Sequence, residues 1–490
     1  MTSRDAILDI RCRFTWKTLL LALFFVFITW FLRGAFSTTE RVAMLGFVLA
    51  VATFLVFPRP STWLYFLPFV FFVGGAQRIV LGEFYPTSAS ATMLLFSIWY
   101  VVDRIVWNEK LFVPSKLLGF CTAAVVIQAV SVAVSVHHHG QYGFNALRDA
   151  SSTYQFIPLA AMLPVLLTRL DRVEIFLRVL VFVVLLVALS GIMEYHSIGS
   201  FERTDMGIGY VYKGRVSGFF RHPNVLAAFL ELGVPLSLAL FFRERKIGWK
   251  LLSLVAVFLG ILSILYTFSR GGLLFLFVAL AITLFWHFRK KLLIPVVLLV
   301  LFVLILLATS DVFERQMAFF TDPMGSITEP TILHRFITYR GFIHQFLDSP
   351  LTGVGWGARE FFWGRTLIYS FWEVRHSVSH KSIGDFGGLN SMFLNQAVKG
   401  GIISLAAVLA VMAGVAAGAV KALRKGHGII VVGLVAGLIG FYGHQVVGNQ
   451  IRWPMANAAF WINIGLLAAL GEMSPESGAP TAPSAEAAGG

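Results

Sequence analysis

The chain has 490 residues, of which 57% are hydrophobic and 13% are charged, and its formal net charge is +14. Because soluble domains carry about 25% charged residues, this composition excludes an ordinary soluble protein and indicates a membrane protein. The basic residues lie in short clusters between apolar runs and form no continuous stripe, so we expect no nucleic-acid partner.

Apolar runs of helical length recur along the chain. A helix needs about 20 apolar residues to cross some 30 Å of hydrocarbon, whereas the strands of a membrane barrel alternate in polarity. These runs do not alternate, so we predict an all-α, polytopic transmembrane bundle of about fourteen helices. The predicted spans are residues 16–33, 43–58, 62–79, 89–107, 116–136, 153–168, 174–195, 223–242, 249–267, 271–287, 292–309, 394–420, 427–446 and 454–470.

Lys and Arg clusters fall in every second loop between these spans. The positive-inside rule therefore predicts that those loops and both termini are cytoplasmic. The opposite side then receives residues 196–222, a tight turn at 269–271, the large loop 310–390 and the connection 447–453. The clusters are Arg104, Lys110 and Lys116; Arg169 and Arg172; Arg243, Arg245, Lys246 and Lys250; Arg289, Lys290 and Lys291; and Lys421, Arg424 and Lys425.

Five basic residues are predicted on the side where this rule disfavours them. A bound anion would explain their presence there. The same side holds the large loop, between the eleventh and twelfth helices, which is rich in Arg, His and acidic residues. The five are Lys213, Arg215, Arg221, Arg270 and Arg452.

The chain divides into three predicted parts. Residues 1–195 are N-terminal transmembrane helices, and residues 196–473 form a core that includes the loop 310–390. Residues 474–490 are rich in Pro, Ala, Ser and Gly without apolar periodicity, and we expect a disordered cytoplasmic tail there.

Three segments resemble the O-antigen ligase and polymerase superfamily, which are polytopic bacterial enzymes that move glycans from an undecaprenyl diphosphate carrier at the periplasmic face. The first is RVSGFFRHPNVLAAFL at residues 215–230, and the second is YTFSRGG at 266–272. The third opens at His334 and Arg335 and continues through DSPLTGVGWG at 348–357, NSMFL from 390 and KGGI from 399. The resemblance covers roughly residues 200–410.

This resemblance implies an enzyme of the bacterial inner membrane that performs inverting glycan transfer from an undecaprenyl-diphosphate-linked donor. Ligases of the family carry a His, a small polar residue, nine residues and then a Gly; here Asn390, Ser391 and Gly401 take those positions, and a nearby acidic position is Lys399. Because that His is regarded as catalytic, Asn390 favours repeat-unit polymerisation of a surface or exopolysaccharide. The alternatives are ligation of finished glycan to lipid A core, and lost activity.

Glycan transfer from a diphosphate carrier requires cations that stabilise the leaving group. Arginine engages phosphate oxygens through two parallel hydrogen bonds. The candidate diphosphate ligands are Arg215, Arg221 and Arg270, followed by Arg335 and Arg340. The alternative is that these side chains reach lipid headgroups or pair with Glu202, Asp205 or Glu329.

Two residues are predicted to support these arginines. Asn224 follows Pro223 at the start of a predicted helix and is expected to help cap its free backbone donors, where phosphate also binds. Glu231 lies about two turns deeper in the membrane, where an acid is costly unless paired. It either orients an arginine or pairs with a neighbouring helix.

The transfer also requires a base for the acceptor hydroxyl. His380 is the first candidate, followed by His376, Glu373 and Asp385, and the alternative for His380 is an exposed loop histidine. Asn390 cannot act as a base but could donate a hydrogen bond to a sugar or a diphosphate oxygen.

The glycines at 353, 355 and 357 predict a tight, close-packed loop, since no parallel strand precedes them as a nucleotide-binding motif requires. Seven aromatic residues of the large loop are expected either to stack on sugar rings or to anchor the loop at the membrane surface. They are Trp356, Phe361, Phe362, Trp363, Tyr369, Phe371 and Trp372.

We predict no cofactor and no metal, because the adjacent histidines 137–139 seldom converge on one ion. The expected partners are the undecaprenyl-diphosphate-linked glycan and membrane lipids, and a flippase and chain-length or export proteins of the same pathway are candidates. A lipid-linked oligosaccharide flippase is the alternative function. It would distribute charged residues along a central cavity, whereas this chain concentrates them at one membrane face.

Overall fold

The computed structural model describes residues 60–72, 88–139, 143–198, 215–220, 222–288, 339, 341–357 and 391–473. This part of the chain is helical and contains no strand. The helices are α1 Pro60–Trp63, α2 Leu67–Phe72, α3 Ser88–Val106, α4 Lys116–His139, α5 Gly143–Ser151, α6 Pro158–Leu166, α7 Leu170–Tyr195, α8 Pro223–Arg243, α9 Ile247–Tyr266, α10 Arg270–Phe288, α11 Met392–Arg424, α12 Gly428–Val446 and α13 Pro454–Glu472, with a 3-10 helix at Gln450–Arg452.

Nine of the described helices, α3, α4 and α7 to α13, are long and apolar enough to span a membrane. They confirm nine of the predicted spans and the polytopic helical bundle. The predicted spans 16–33, 43–58 and 292–309, the loop segment 358–390 and the tail 474–490 lie outside the described residues.

Two predicted spans were wrong as single helices. The described part of 62–79 contains the short helices α1 and α2, separated by a turn at residues 64–66. The predicted span 153–168 contains only the nine-residue helix α6, preceded by turns at residues 152–157. Hydropathy identified both apolar runs, but it does not report whether their backbone is helical throughout.

The turns before α6 are possible because other side chains satisfy their backbone. Asn457 Nδ2 donates to the carbonyls of Ser152 at 3.0 Å and Thr153 at 2.7 Å, and Trp461 Nε1 donates to Thr153 at 3.1 Å. Non-helical backbone at membrane depth is tolerated only where the protein or trapped water supplies such partners. The tertiary contact with α13 therefore replaces the first turns of the predicted helix.

Helices α8 and α13 form the centre of the bundle and are buried along almost their whole length. α8 packs against α7, α9, α10, α12 and α13, and α13 also packs against α6 and α11. The outer helices α3, α4, α9 and α10 expose large apolar side chains such as Leu94, Val126, Leu251 and Leu274. This arrangement leaves an apolar outer surface of the kind that lipid covers.

Ion pairs join the helix ends next to the basic loops. Arg178 Nε lies 2.6 Å from Glu244 Oε1, and Lys421 Nζ lies 2.5 Å from Glu472 Oε2. These contacts bring the start of α7 to the end of α8, and the end of α11 to the end of α13. The basic residues at 169–178, 243–250 and 421–425 therefore lie at or near these helix ends. That they face the cytoplasm stays a prediction.

The loop 349–357 and helix α11 are joined backbone to backbone. The N–H groups of Val354 and Gly355 donate to the carbonyls of Val398 at 2.7 Å and Lys399 at 3.1 Å. Helix α11 is kinked at Gly401, with φ 64°. A Cβ there would lie 2.2 Å from the carbonyl oxygen of Leu351, so only glycine fits. The predicted tight, close-packed glycine loop is confirmed.

We predict that Asn457→Ala lowers stability by about 1–3 kcal/mol, because it leaves buried carbonyls of the turns without a donor. Thermal unfolding of the detergent-solubilised protein measures the effect. Asn463→Ala is the matched control, since Asn463 is also buried in α13 but donates to Ala459, within its own helix. Equal losses in the two variants would contradict this account of residues 152–157.

Candidate functional site

Arg215 joins the ends of two membrane helices. Its Nε donates to the carbonyl of Thr267 at 2.7 Å, and its Nη2 donates to Oδ1 of Asn224, also at 2.7 Å. Thr267 follows the last residue of α9, and Asn224 lies in the first turn of α8. The N–H of Val216 donates to the Tyr266 carbonyl at 3.2 Å. The half-buried guanidinium is thereby held in a fixed plane at this end of the bundle.

The first turn of α8 is capped by His222. Pro223 occupies the first helical position, and Nδ1 of His222 accepts a hydrogen bond from the N–H of Asn224 at 3.1 Å. The prediction that the Asn224 side chain caps this helix was wrong, because a cap must precede the first turn and Asn224 lies within it. Its side-chain oxygen accepts instead from Arg215.

Glu194, at the end of α7, fixes the segment 215–220 that carries Arg215. Its Oε2 accepts hydrogen bonds from the N–H groups of Ser217 at 2.7 Å and Gly218 at 2.5 Å. Gly218 has φ 56°, and a Cβ there would lie 2.4 Å from Oγ of Ser190. The segment therefore follows the end of α7 closely.

The tight turn predicted at residues 269–271 joins α9 to α10. Phe268 adopts φ 51°, a left-handed conformation that costs a non-glycine residue about 1–3 kcal/mol. Thr267 Oγ1 accepts from the N–H of Ser269 at 3.2 Å, and Ser269 Oγ accepts from the N–H three residues later at 3.3 Å. Arg270 is the first residue of α10 and is exposed. It lies three residues after the carbonyl that binds Arg215.

The structure thus brings Arg215 into contact with Asn224, and another predicted site residue, Arg270, follows three residues after the carbonyl that Arg215 binds. We call Arg215, Asn224, Thr267 and Arg270 the arginine corner. Beside it, the rings of His222 and Trp453 lie with centroids 5.9 Å apart, so the connection 447–453 reaches the same end of the bundle. The corner combines two guanidinium groups with the N-termini of α8 and α10, both of which favour a negatively charged ligand.

Glu231 is completely buried two turns into α8. Its Oε1 lies 2.7 Å from Nδ1 of His444, in the last turn of α12. Within the described residues, neither carboxylate oxygen accepts an aligned hydrogen bond. Nε2 of His444 lies 3.5 Å from Oγ of Ser269. Of the two roles predicted for Glu231, the structure shows pairing with a neighbouring helix.

A second charged cluster surrounds Lys399, which replaces an acidic residue of the family pattern. Lys399 Nζ lies 2.5 Å from Asp149 Oδ2 and 5.6 Å from the ring centroid of Trp356. Trp356 is completely buried, and its backbone N–H donates to Oγ of Ser135 at 2.7 Å. The expectation that Trp356 contacts sugar or the membrane surface was therefore wrong, because the glycine loop inserts this ring against α4.

Seven predicted site residues lie outside the described residues, and their roles stay predictions. They are Arg221, Arg335, Arg340, Glu373, His376, His380 and Asn390. Asn390 precedes Ser391, whose Oγ accepts from the N–H of Leu394 at 3.4 Å and caps α11. The N–H of Met392 donates to the Gly448 carbonyl at 2.9 Å. The start of α11 is therefore fixed beside the 447–453 connection.

Within the described residues, no group of three or more His, Cys, Asp or Glu side chains is arranged to hold a metal ion.

Residues 254–409 match the family model described as O-antigen ligase. This segment belongs to the O-antigen ligase and polymerase superfamily. The match supports the resemblance and covers the second and third motifs, whereas the first motif, residues 215–230, precedes it. It begins within α9 and ends within α11. It includes Thr267, Arg270 and Lys399, whereas Arg215 and Glu231 precede it. A comparison with curated proteins found no match. The family supports glycan transfer of the ligase or polymerase type, on lipid-linked glycans and in a multi-pass membrane protein.

Sequence reasoning missed four residues of this region: Glu194, His222, His444 and Asp149. Glu194 and His444 end apolar runs, and an ionisable residue in such a run is costly enough to mark a functional or structural site. The same reasoning had identified Glu231. His222 stood within the first motif, directly before Pro223, where a capping residue is expected. Nothing in the sequence identified Asp149, because its partner Lys399 is 250 residues away.

We predict that Lys399 and Asp149 couple by about 1–3 kcal/mol, since their pair is charge-assisted and partly buried. A double-mutant cycle of Lys399→Met and Asp149→Asn, followed by thermal unfolding in detergent, measures this coupling. The control cycle uses Arg169→Met and Asp171→Asn. That pair is more than half exposed and should couple by about 0–1 kcal/mol. Coupling no stronger than the control's would show that the Lys399 contact contributes nothing.

Proposed function

We propose that this protein polymerises repeat units of a surface or exopolysaccharide by inverting glycan transfer from an undecaprenyl-diphosphate-linked donor at the periplasmic face of the bacterial inner membrane. The observation that carries the proposal is the arginine corner. Arg215 is fixed there between the start of α8 and the end of α9, and α10 begins with Arg270 three residues after Thr267, in a membrane protein with an O-antigen ligase segment.

The corner fits the leaving group of such a transfer. A diphosphate carries several negative oxygens, and the breaking of the sugar–phosphate bond adds charge to them. Arg215 is held in place by Thr267 and Asn224 before any ligand arrives, so its orientation costs little when the charge develops. Arg270 projects from the first position of α10, where the helix dipole adds to its own charge. Both groups stabilise the departing undecaprenyl diphosphate.

The charge distribution supports the periplasmic side for this reaction. The Lys and Arg clusters lie at the opposite helix ends from the arginine corner, and the positive-inside rule places them in the cytoplasm. With both termini cytoplasmic, the corner faces the periplasm. Arg215 and Arg270, the described candidate ligands, lie at one end of the bundle, which favours an enzyme over a flippase, since a flippase needs polar residues through the membrane.

Ligation of finished glycan to lipid A core is the second candidate, because the matching family model is described as O-antigen ligase. We favour polymerisation because Asn390 stands where the ligases carry their His. Deleting the gene and analysing the carrier-linked products separates the functions. Single repeat units accumulate if a polymerase is lost, finished chains if a ligase is lost, and inward-facing substrate if a flippase is lost.

We predict that Arg215→Ala and Arg270→Lys leave the protein in the membrane but abolish elongation of the lipid-linked glycan. Lys at position 270 keeps the charge but loses the planar fork that engages two phosphate oxygens. Polymer length on gels from a complemented deletion strain measures the effect. Arg245→Ala is the control, since Arg245 is exposed at the opposite end of the bundle. Normal polymer in both site variants would refute the proposed role of the corner.

A further inference from the structure

Glu231 and His444 take no part in the diphosphate contacts proposed above, yet they adjoin the arginine corner. Glu231 has no exposed area, and His444 is 2% exposed. Ser269 is 5% exposed, its Oγ lies 3.5 Å from Nε2 of His444, and it directly precedes Arg270 in the sequence. An acid, an imidazole and a hydroxyl thus lead from the interior of the bundle to the surface of the corner.

The distances allow one order of proton transfer in this series. Nδ1 of His444 lies 2.7 Å from Oε1 of Glu231, within hydrogen-bonding distance although the two groups are not aligned, and we assign the ring proton to Nδ1. Nε2 is then an acceptor, 3.5 Å from Oγ of Ser269. The Ser269 oxygen already accepts from the N–H of Gly272 at 3.3 Å, so its own hydrogen can turn towards Nε2. Such contacts are often long without substrate and shorten when it binds.

Packing alone does not explain why an acid and an imidazole are buried at this place in the bundle. A buried carboxylate in a membrane helix is destabilising unless it is paired, and well-packed apolar residues can replace buried ion pairs without loss of stability. The order hydroxyl, imidazole and carboxylate is the one by which enzymes remove a proton from a hydroxyl group. The imidazole accepts the proton, and the carboxylate stabilises the imidazolium that forms.

We propose that Ser269, His444 and Glu231 form a proton relay that serves as the base for the acceptor hydroxyl in the proposed glycan transfer. This inference rests on the proposed function. It assigns the base to residues outside the loop that carries Asn390, whose amide cannot accept the proton.

The proposed transfer is a single displacement at the anomeric carbon. The acceptor oxygen forms a bond to the anomeric carbon of the lipid-linked sugar, and the bond from that carbon to the phosphate oxygen breaks. The electron pair leaves with undecaprenyl diphosphate, held by Arg215 and Arg270. The acceptor proton passes to Oγ of Ser269 as the serine proton passes to Nε2 of His444. The imidazolium remains next to Glu231 until it returns its proton to water.

We predict that Glu231→Gln lowers kcat by about 10²-fold or more, the usual contribution of a positioned base, and leaves the KM for donor within about twofold. Gln keeps the shape of the side chain and loses its charge. The assay uses detergent-solubilised full-length protein and the carrier-linked glycan that accumulates in cells lacking the gene. A merely structural role of Glu231 would not separate kcat from KM in this way.

Two serine variants test the relay independently of Glu231. Ser269→Ala removes the hydroxyl and should lower kcat as Glu231→Gln does, whereas Ser269→Thr keeps the hydroxyl and should retain most of the activity. Ser237→Ala is the matched control, because Ser237 is also buried and donates to the Gly233 carbonyl within α8. It should behave as the unchanged protein.

The outcomes separate this inference from the proposed function. If the unchanged protein transfers glycan and kcat is unaltered in Glu231→Gln or in Ser269→Ala, the relay is overturned and the proposed function stands. A raised KM with unaltered kcat would also overturn it, since the residues would then act in binding. If Glu231→Gln does not fold, the comparison of kcat between Ser269→Ala and Ser269→Thr decides whether the relay operates. An unchanged protein that transfers no glycan would contradict the proposed function and the relay together.

Discussion

The hydrogen bonds from Arg215 to Thr267 and Asn224 determine how this end of the bundle is built. They join three separate parts of the chain: the segment before α8, the first turn of α8 and the end of α9. Glu194 holds the same segment from the other side, through two backbone N–H groups. A guanidinium has five N–H donors in one plane, so two bonds fix its orientation while the group stays charged. The position of Arg270 follows, because α10 starts three residues after the carbonyl that Arg215 binds.

The helices were predictable because crossing the hydrocarbon requires a minimum length of apolar sequence, and nine described helices satisfy it where expected. The run at 153–168 failed because hydropathy does not show that Asn457, some 300 residues later, supplies the donors that allow turns. Arg215 and Arg270 were identifiable from their motifs and from their charge on the disfavoured side. The pairs Glu231 with His444 and Lys399 with Asp149 were not, since residues more than 200 positions apart meet only in the folded bundle.

The chain departs from the family pattern at positions 390 and 399, and the structure describes only the second of these. Lys399 stands where the resemblance implies an acid, and the structure pairs it with Asp149 on the short helix α5. Asn390 replaces a histidine with a side chain that cannot titrate. The proposed transfer needs another base, and we assign that role to His444, which is buried and lies 2.7 Å from Glu231.

Hydrogen bonds fix the chain on both sides of residues 358–390. On one side, the glycine loop is bound to α11, and the N–H of Gly357 donates to Asp149 at 3.4 Å. On the other, Ser391 caps α11 and Met392 binds the Gly448 carbonyl. The entropy of loop closure grows slowly, by about 0.6 kcal/mol for each doubling of length, so a change in the number of residues between these two anchors costs little stability. The anchors are held by contacts within the bundle, and the hydrogen bonds of Arg215 do not depend on that number.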